Sequence, residues 1–191
     1  MARVAETDAQ SNRLTRTVVL VGMMGAGKST IGRRLAQRLG ARFVDADHEI
    51  ERAAGCTIPE IFKTYGEAAF RDGERRVIAR LLDDPPHVLA MGGGAFVDPE
   101  TRAATREKAT SIWLDTDLDT LFRRVSRRTN RPMLYVEDPK AQLEKLLKER
   151  TPTYAEADII VTGGESPPDR AAAEAEARLA DLGVLKPGAD T

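Results

Sequence analysis

Cysteine and histidine are scarce in this chain of 191 residues, and each scarcity argues against a class of protein. The single cysteine, Cys56, has no second thiol with which to form an internal disulfide, so a reducing cytoplasm is the favoured location. The two histidines, His48 and His87, are too few for a histidine-rich metal site and are better explained as structural or solvated residues.

An excess of charge and a long apolar run are also missing. The 29 basic and 30 acidic residues leave a net charge of -1, so no overall field draws the chain onto nucleic acid or an anionic membrane. The longest apolar stretch, residues 18–27, is too short to span a bilayer. Residues 1–16 lack the apolar centre of a signal peptide, and we expect a flexible leader there.

Short β-branched runs alternate with helical patterns along one domain, expected over residues 17–184 with a flexible tail at 185–191. The alternation predicts a parallel sheet with helices on both faces. The strand candidates are residues 17–22, 41–47, 87–94, 110–115 and 158–162. The helix candidates are residues 28–40, 66–84, 117–128, 139–157 and 167–183.

The segment GMMGAGKS, residues 22–29, fits the pattern G-x-x-x-x-G-K-[ST] between a strand and an amphipathic helix. In this pattern, successive backbone N–H groups face a polyphosphate at the positive end of the helix. Lys28 can reach the β- and γ-phosphates, and the Ser29 hydroxyl can join the shell of a Mg²⁺ ion. The segment predicts nucleotide binding, but the same loop serves switches, motors and kinases alike.

Two acids close the second predicted strand, where ligands of parallel sheets gather. Because side chains alternate along a strand, Asp45 and Asp47 are expected to point the same way. One could then face Mg²⁺ and the other an acceptor hydroxyl. The residues equally allow Asp47 to be the N-cap of the next helix.

Several other charged residues are candidates with an ordinary alternative. Arg71 and Glu74 lie three apart on a predicted helix and can pair, either in a site or on the surface. Arg150 is near a helix end, and Arg131 precedes a proline in a segment that could form a mobile lid. Three glycines, residues 92–94, follow a strand, where their N–H groups could meet an anion or where a plain flexible loop could lie.

Six segments in order, GMMGAGKST, FVDADHEIE, AFRDGE, MGGGA, RPML and ERTPTYAE, together resemble the shikimate kinase family over residues 17–170. The resemblance implies an α/β, three-layer P-loop NTPase fold of the nucleoside-monophosphate-kinase type. It implies a five-stranded parallel sheet of order 2-3-1-4-5, with a mobile lid at about residues 125–138. The implied activity is transfer of the γ-phosphate of ATP to the 3-hydroxyl of shikimate, on the pathway to chorismate and the aromatic amino acids, by a cytoplasmic monomer using Mg²⁺.

The resemblance also implies roles for individual residues. Asp47 would hold the acceptor hydroxyls and act as the base, and Asp45 would support Mg²⁺ together with Ser29. Arg71 and Arg150 would clamp the carboxylate of shikimate, with Glu74 orienting Arg71 and the Gly93 N–H contacting the substrate. Lys28 and the lid residue Arg131 would supply positive charge during transfer. The residues implied for ATP are Gly25, Ala26, Gly27, Lys28, Ser29, Thr30 and Arg124.

Three departures from the family pattern and two rival functions qualify these expectations. Met133 stands where leucine is commoner, and Gly73 loosens the helix after Arg71. Residues 162–168, which the resemblance implies close over the adenine and which we call the adenine loop, are rich in glycine. Arg123, Arg127 and Arg128 compete with Arg124 for the place beside adenine. The rival functions are a kinase for another hydroxylated acid, such as gluconate, and a nucleotide-binding regulator without turnover.

Overall fold

A computed structural model describes residues 12–127, 138–164 and 166–186. Five strands form one sheet: β1 Thr17–Val21, β2 Phe43–Asp45, β3 Val88–Ala90, β4 Ala109–Asp115 and β5 Ile159–Thr162. All neighbouring pairs are parallel, and the order β2-β3-β1-β4-β5 confirms the expected topology. The central strand β1 is buried along its whole length, as its β-branched composition predicts.

Seven helices are seen in the described residues: α1 Lys28–Arg38, α2 Ala46–Ala54, α3 Ile58–Asp83, α4 Pro99–Lys108, α5 Leu118–Val125, α6 Pro139–Tyr154 and α7 Pro168–Asp181. They cover the two faces of the sheet and bury one large core around β1 and β4. Helix α4 was not predicted, although Asp98 caps it and Pro99 opens it in the usual manner. A 3-10 turn, Ala95–Val97, follows the glycine triplet.

The long helix α3 is kinked, and the position of the kink differs from expectation. Gly73 was expected to weaken the helix, but the backbone stays helical there and breaks at Gly66, which has φ 81° and ψ 174°. Only glycine adopts such torsions at little cost. The second half of α3 therefore runs from the kink to Asp83 and carries Arg71 and Glu74.

Residues 12–16 are packed, in contrast to the flexible leader predicted for residues 1–16. Leu14 is fully buried and forms an antiparallel bridge with Leu185, a residue of the predicted tail. Arg13 donates to Glu176 on α7, and its backbone N–H donates to Leu39. Because the segment is otherwise polar, its composition did not indicate that Leu14 would be buried. Burial of such a side chain contributes about 1.5–3 kcal/mol to the stability of the fold.

No described helix is both long enough and apolar enough to cross a membrane.

Candidate active site

The phosphate loop connects β1 to α1 at the carboxyl end of the central strand. Gly27 is the N-cap of α1 and has φ 97°, a left-handed conformation that a residue with a Cβ rarely adopts. Lys28 Nζ donates to the carbonyl oxygens of Gly22 at 2.8 Å and Met23 at 2.9 Å. The lysine is thus folded back over its own loop, and the first N–H groups of α1 face the cleft where an anion is best stabilised.

Asp45 and Asp47, at the end of β2, lie close together as predicted, but they do not both belong to the strand. The strand ends at Asp45, and Asp47 lies in the first turn of α2. The argument from strand alternation was therefore wrong for Asp47, because the chain has already turned into a helix. Asp45, and not Asp47, is the N-cap of α2, since its Oδ1 accepts from the Asp47 N–H at 3.2 Å.

The Ser29 hydroxyl donates to Asp45 Oδ2 at 2.7 Å and so ties the phosphate loop to the end of β2. A hydroxyl oxygen and a carboxylate lie side by side in this arrangement. Mg²⁺ in nucleotide sites is held by one or two protein oxygens, the phosphates and several waters, so these two residues fit its chemistry. Among the described residues, no group of three or more His, Cys, Asp and Glu side chains could hold a metal alone.

A cleft of about 450 Å³ is lined by most of the predicted residues, although Arg71 and Arg150 are not among the residues that line it. Its lining comes from the phosphate loop, the start of α1, the two acids and the first two glycines of the triplet. The predicted residues that line it are Gly25, Gly27, Lys28, Ser29, Thr30, Asp45, Asp47, Gly93 and Arg124. Ala26, a loop residue that was also predicted to bind ATP, is fully buried and does not line the cleft.

The glycine triplet is the feature whose meaning the sequence left open, and the structure resolves it. None of the three glycines has positive φ, so backbone torsion does not explain why glycine is needed there. The explanation is the lack of space for a side chain. A Cβ at Gly92 would lie 2.8 Å from Asp47 Oδ1 and 3.0 Å from Glu74 Oε1, closer than side-chain carbons approach.

The other two glycines lie against the two arginines. A Cβ at Gly93 would lie 3.4 Å from Arg150 Nη1, and one at Gly94 would lie 2.6 Å from Arg71 Nη1 and 2.9 Å from its Nη2. The backbone of the triplet therefore passes close to both guanidinium groups. Four segments distant in sequence, around residues 47, 71, 93 and 150, meet here. Asp47 and Gly93 place this meeting point at the cleft, and we call it the acceptor end.

Arg71 and Glu74 form the predicted ion pair, with Nη1 donating to Oε2 at 2.7 Å. Glu74 is buried, and burial raises the pKa of its carboxyl above the ordinary value, while Arg71 acts in the opposite direction. The Arg71 guanidinium also lies 5.1 Å from the ring centroid of Phe70. Its Nη2 also donates to Glu67 at 3.4 Å, so the guanidinium is held by two carboxylates and a ring while it lies beside Gly94.

Arg124 joins the phosphate loop to the loop after β5. Its Nη1 donates to the carbonyls of Gly25 at 3.2 Å and Ala26 at 3.4 Å, and its Nη2 donates to Gly164 at 2.6 Å. Gly163, Ser166 and Pro168 of the predicted adenine loop line the same cleft. Arg124 thus reaches the nucleotide end, and its contacts there set it apart from its neighbour Arg123, whose Nη2 donates to Thr120 at 3.4 Å.

Two sets of predicted residues lie outside the described part of the chain. The first is residues 128–137, which include Arg131 and most of the predicted lid, and the second is Glu165 of the adenine loop. One buried residue beside the site was not predicted: Tyr154, whose hydroxyl donates to the Gly93 carbonyl. Its spacing of four residues from Arg150 on a helix was a signal that could have found it.

Comparison with known proteins agrees with this arrangement. A model of the shikimate kinase family matches residues 24–180. A shikimate kinase of Caulobacter vibrioides is 60% identical over 152 residues, which cover 80% of this chain and 76% of the relative. One of Bradyrhizobium diazoefficiens is 58% identical over 165 residues, covering 86% and 80%. The solved structure of a shikimate kinase from Acinetobacter baumannii in complex with shikimate has a TM-score of 0.83 at 39% identity, covering 88% of this chain and 93% of that one.

Proposed function

This chain belongs to the shikimate kinase family, and we propose that it transfers the γ-phosphoryl group of ATP to the 3-hydroxyl of shikimate, giving shikimate 3-phosphate and ADP. The observation that carries the proposal is the acceptor end of the cleft. There two guanidinium groups and two carboxylates pack against three consecutive glycines, beside the phosphate loop. A small acid with hydroxyl groups is the substrate that such a set of side chains recognises.

Recognition of the acceptor follows from the two arginines. Guanidinium groups bind carboxylates by parallel N–H bonds, which orient the substrate as well as attract it. Arg71 is held by Glu74, and Arg150 is nine-tenths buried, so both start close to one geometry. A rigid ring with its carboxylate fixed at this end presents its hydroxyls toward Asp47 and the Gly93 N–H.

For the chemical step, Asp47 accepts the proton as the 3-hydroxyl O–H bond breaks. The hydroxyl oxygen forms a bond to the γ-phosphorus, and the bond from that phosphorus to the bridging oxygen of ADP breaks. Negative charge spreads over the phosphoryl oxygens, where Lys28 and the N–H groups of the loop stabilise it. Lys28 leaves the two carbonyls that it now contacts in order to reach the phosphates.

Mg²⁺ would be held by Ser29 and by Asp45, partly through water. When bound it neutralises charge on the β- and γ-phosphates. Arg124 and the loop of residues 162–168 would enclose the adenine, and Arg131 would approach the transferring phosphate. The working unit is residues 17–184 with a lid at about 125–138, acting as a cytoplasmic monomer with ATP and shikimate as its only partners.

ADP release tests the function. The purified chain with Mg·ATP is assayed with shikimate, with gluconate and with no acceptor. Turnover with shikimate alone is the expected result. A preference for gluconate would mean that this chain is a kinase for a different hydroxylated acid. ATP binding without transfer to either acceptor would refute the kinase assignment. Sedimentation at working concentration tests the monomer.

A further inference from the structure

Tyr154 lies beneath the acceptor end of the cleft, where the function above gives it no role. The residue is fully buried, and its ring centroid lies 6.1 Å from that of Trp113. The hydroxyl donates to the Gly93 carbonyl and lies 3.8 Å from Met23 Sδ. A buried tyrosine hydroxyl normally finds some partner. What distinguishes this one is the pair of groups that it connects.

The second of these groups is Arg150. Arg150 and Tyr154 are four residues apart on α6 and therefore lie on one face of the helix. Burial raises the pKa of the Tyr154 hydroxyl, and the nearby Arg150 guanidinium acts in the opposite direction. Arg150 Nη1 would lie 3.4 Å from a Cβ at Gly93, whose carbonyl accepts from the same hydroxyl. The guanidinium, the hydroxyl and the Gly93 backbone therefore lie together beneath the site.

The bond to Gly93 also controls the peptide that follows it. In a planar trans peptide the C=O and the next N–H point in opposite directions. When the Gly93 carbonyl is held toward Tyr154, the Gly94 N–H is turned to the opposite side of the loop. Backbone bonds from the Ala95 N–H to Gly92 and from the Val97 N–H to Gly94 close the turn, and the Tyr154 bond fixes the direction of the peptide between its two central glycines.

We propose that Tyr154 is a positioning residue for the phosphoryl acceptor: its hydroxyl holds the guanidinium of Arg150 and the Gly93–Gly94 peptide in the geometry that binds a carboxylate-bearing substrate. The inference rests on the proposed function, because it concerns binding of shikimate at the same site. Tyr154 acts through these two groups and is not itself a catalytic residue.

Y154F tests the proposal, with Y65F as the matched control. Both variants lose one phenolic hydroxyl, but Tyr65 is 67% exposed and lies outside the cleft. We expect Y154F to raise KM for shikimate about tenfold, the order of effect of losing one buried hydrogen bond, and to leave KM for ATP within about twofold. Y65F should match the wild type in both constants.

A neutral acceptor distinguishes positioning of Arg150 from general stability. The wild type should bind the methyl ester of shikimate, which lacks the carboxylate charge, far more weakly than shikimate, and calorimetry without ATP measures both. In Y154F this discrimination should shrink about tenfold, because the guanidinium is no longer held in place. A merely structural role for the hydroxyl would weaken both ligands equally.

The outcomes are separable. If the wild type does not phosphorylate shikimate, the proposed function fails, whatever the variant does. If the wild type is active and Y154F has its KM for shikimate, the inference is overturned. A Y154F protein that does not fold, or that loses affinity for ATP and shikimate alike, would overturn it as well, because the hydroxyl would then serve the fold.

Discussion

Substitution of Gly94 by alanine should weaken shikimate binding, because the added methyl group would clash with the Arg71 guanidinium. The added Cβ would lie 2.6, 2.9 and 3.0 Å from Arg71 Nη1, Nη2 and Cζ, where non-bonded heavy atoms require about 3.5 Å or more. The backbone of Gly94, with φ -95° and ψ -16°, is open to alanine. The effect is therefore displacement of a side chain and not strain of the main chain.

The displaced group is the guanidinium that the acceptor needs. Arg71 must move by roughly 1 Å, which disturbs its 2.7 Å hydrogen bond to Glu74. Hydrogen bonds of charged groups are worth about 1.5–3 kcal/mol, and each 1.4 kcal/mol is about tenfold in affinity. We expect kcat/KM for shikimate to fall about 10- to 100-fold, mainly through KM, with KM for ATP unchanged.

Two further glycines calibrate the effect. Gly73 has nothing within 4 Å of an added Cβ and sits inside a helix, so G73A should keep full activity. The same substitution should raise the free energy of unfolding by about 0.5–1 kcal/mol. G93A, whose Cβ would lie 3.4 Å from Arg150 Nη1, should fall between G73A and G94A in its effect on KM for shikimate.

The assay is coupled ADP release, with shikimate varied at saturating ATP and then the reverse, and urea unfolding reports stability. The order G73A, G93A, G94A in rising KM for shikimate is the expected result. A G94A enzyme with wild-type KM, or a G73A enzyme as impaired as G94A, would refute the explanation of the triplet as a matter of space.

Three other variants test separate parts of the structure. E74Q should flatten the pH dependence of unfolding from the ordinary pKa of a glutamate carboxyl up to its raised folded value: burial raises the Glu74 pKa, so the stability that protonation contributes is fully present below the ordinary pKa and is lost as pH rises through the folded one. An unchanged profile would contradict this. L14A removes a fully buried side chain and should cost about 2–5 kcal/mol in urea unfolding without altering KM for either substrate; wild-type stability would mean that residues 12–16 are loosely held. R131A should lower kcat about 10³- to 10⁵-fold, and near-normal turnover would exclude it from the transfer step.

Features whose signal is contiguous could be predicted from the sequence. The phosphate loop is such a feature, because the torsion at Gly27, the helix start at Lys28 and the Ser29 hydroxyl are set within a few residues. The five strands could be located because buried parallel strands need runs of apolar residues. Their spatial order did not follow from the runs themselves and came from the resemblance to a family.

Local patterns misled where the chain changes direction. Asp47 was placed on a strand because its spacing from Asp45 fits alternation, yet the helix begins at Ala46. Helix α3 was expected to weaken at Gly73 and instead breaks at Gly66, since torsions and not composition decide which glycine carries the kink. Leu14 looked like part of a polar leader, because its partner Leu185 is far away in sequence.

The amino-acid sequence by itself determined that this chain binds a nucleotide on a parallel α/β sheet, since the loop, strand and helix signals are short-range. Only the tertiary structure decided what the other charges do. Gly92, Gly93 and Gly94 lie against Asp47, Arg150 and Arg71, respectively, and these contacts join residues from distant segments. The backbone preference of each residue carries no information about such contacts, because they depend on how α2, α3 and α6 pack around the end of β3. Tyr154 beneath them acquires its place for the same reason.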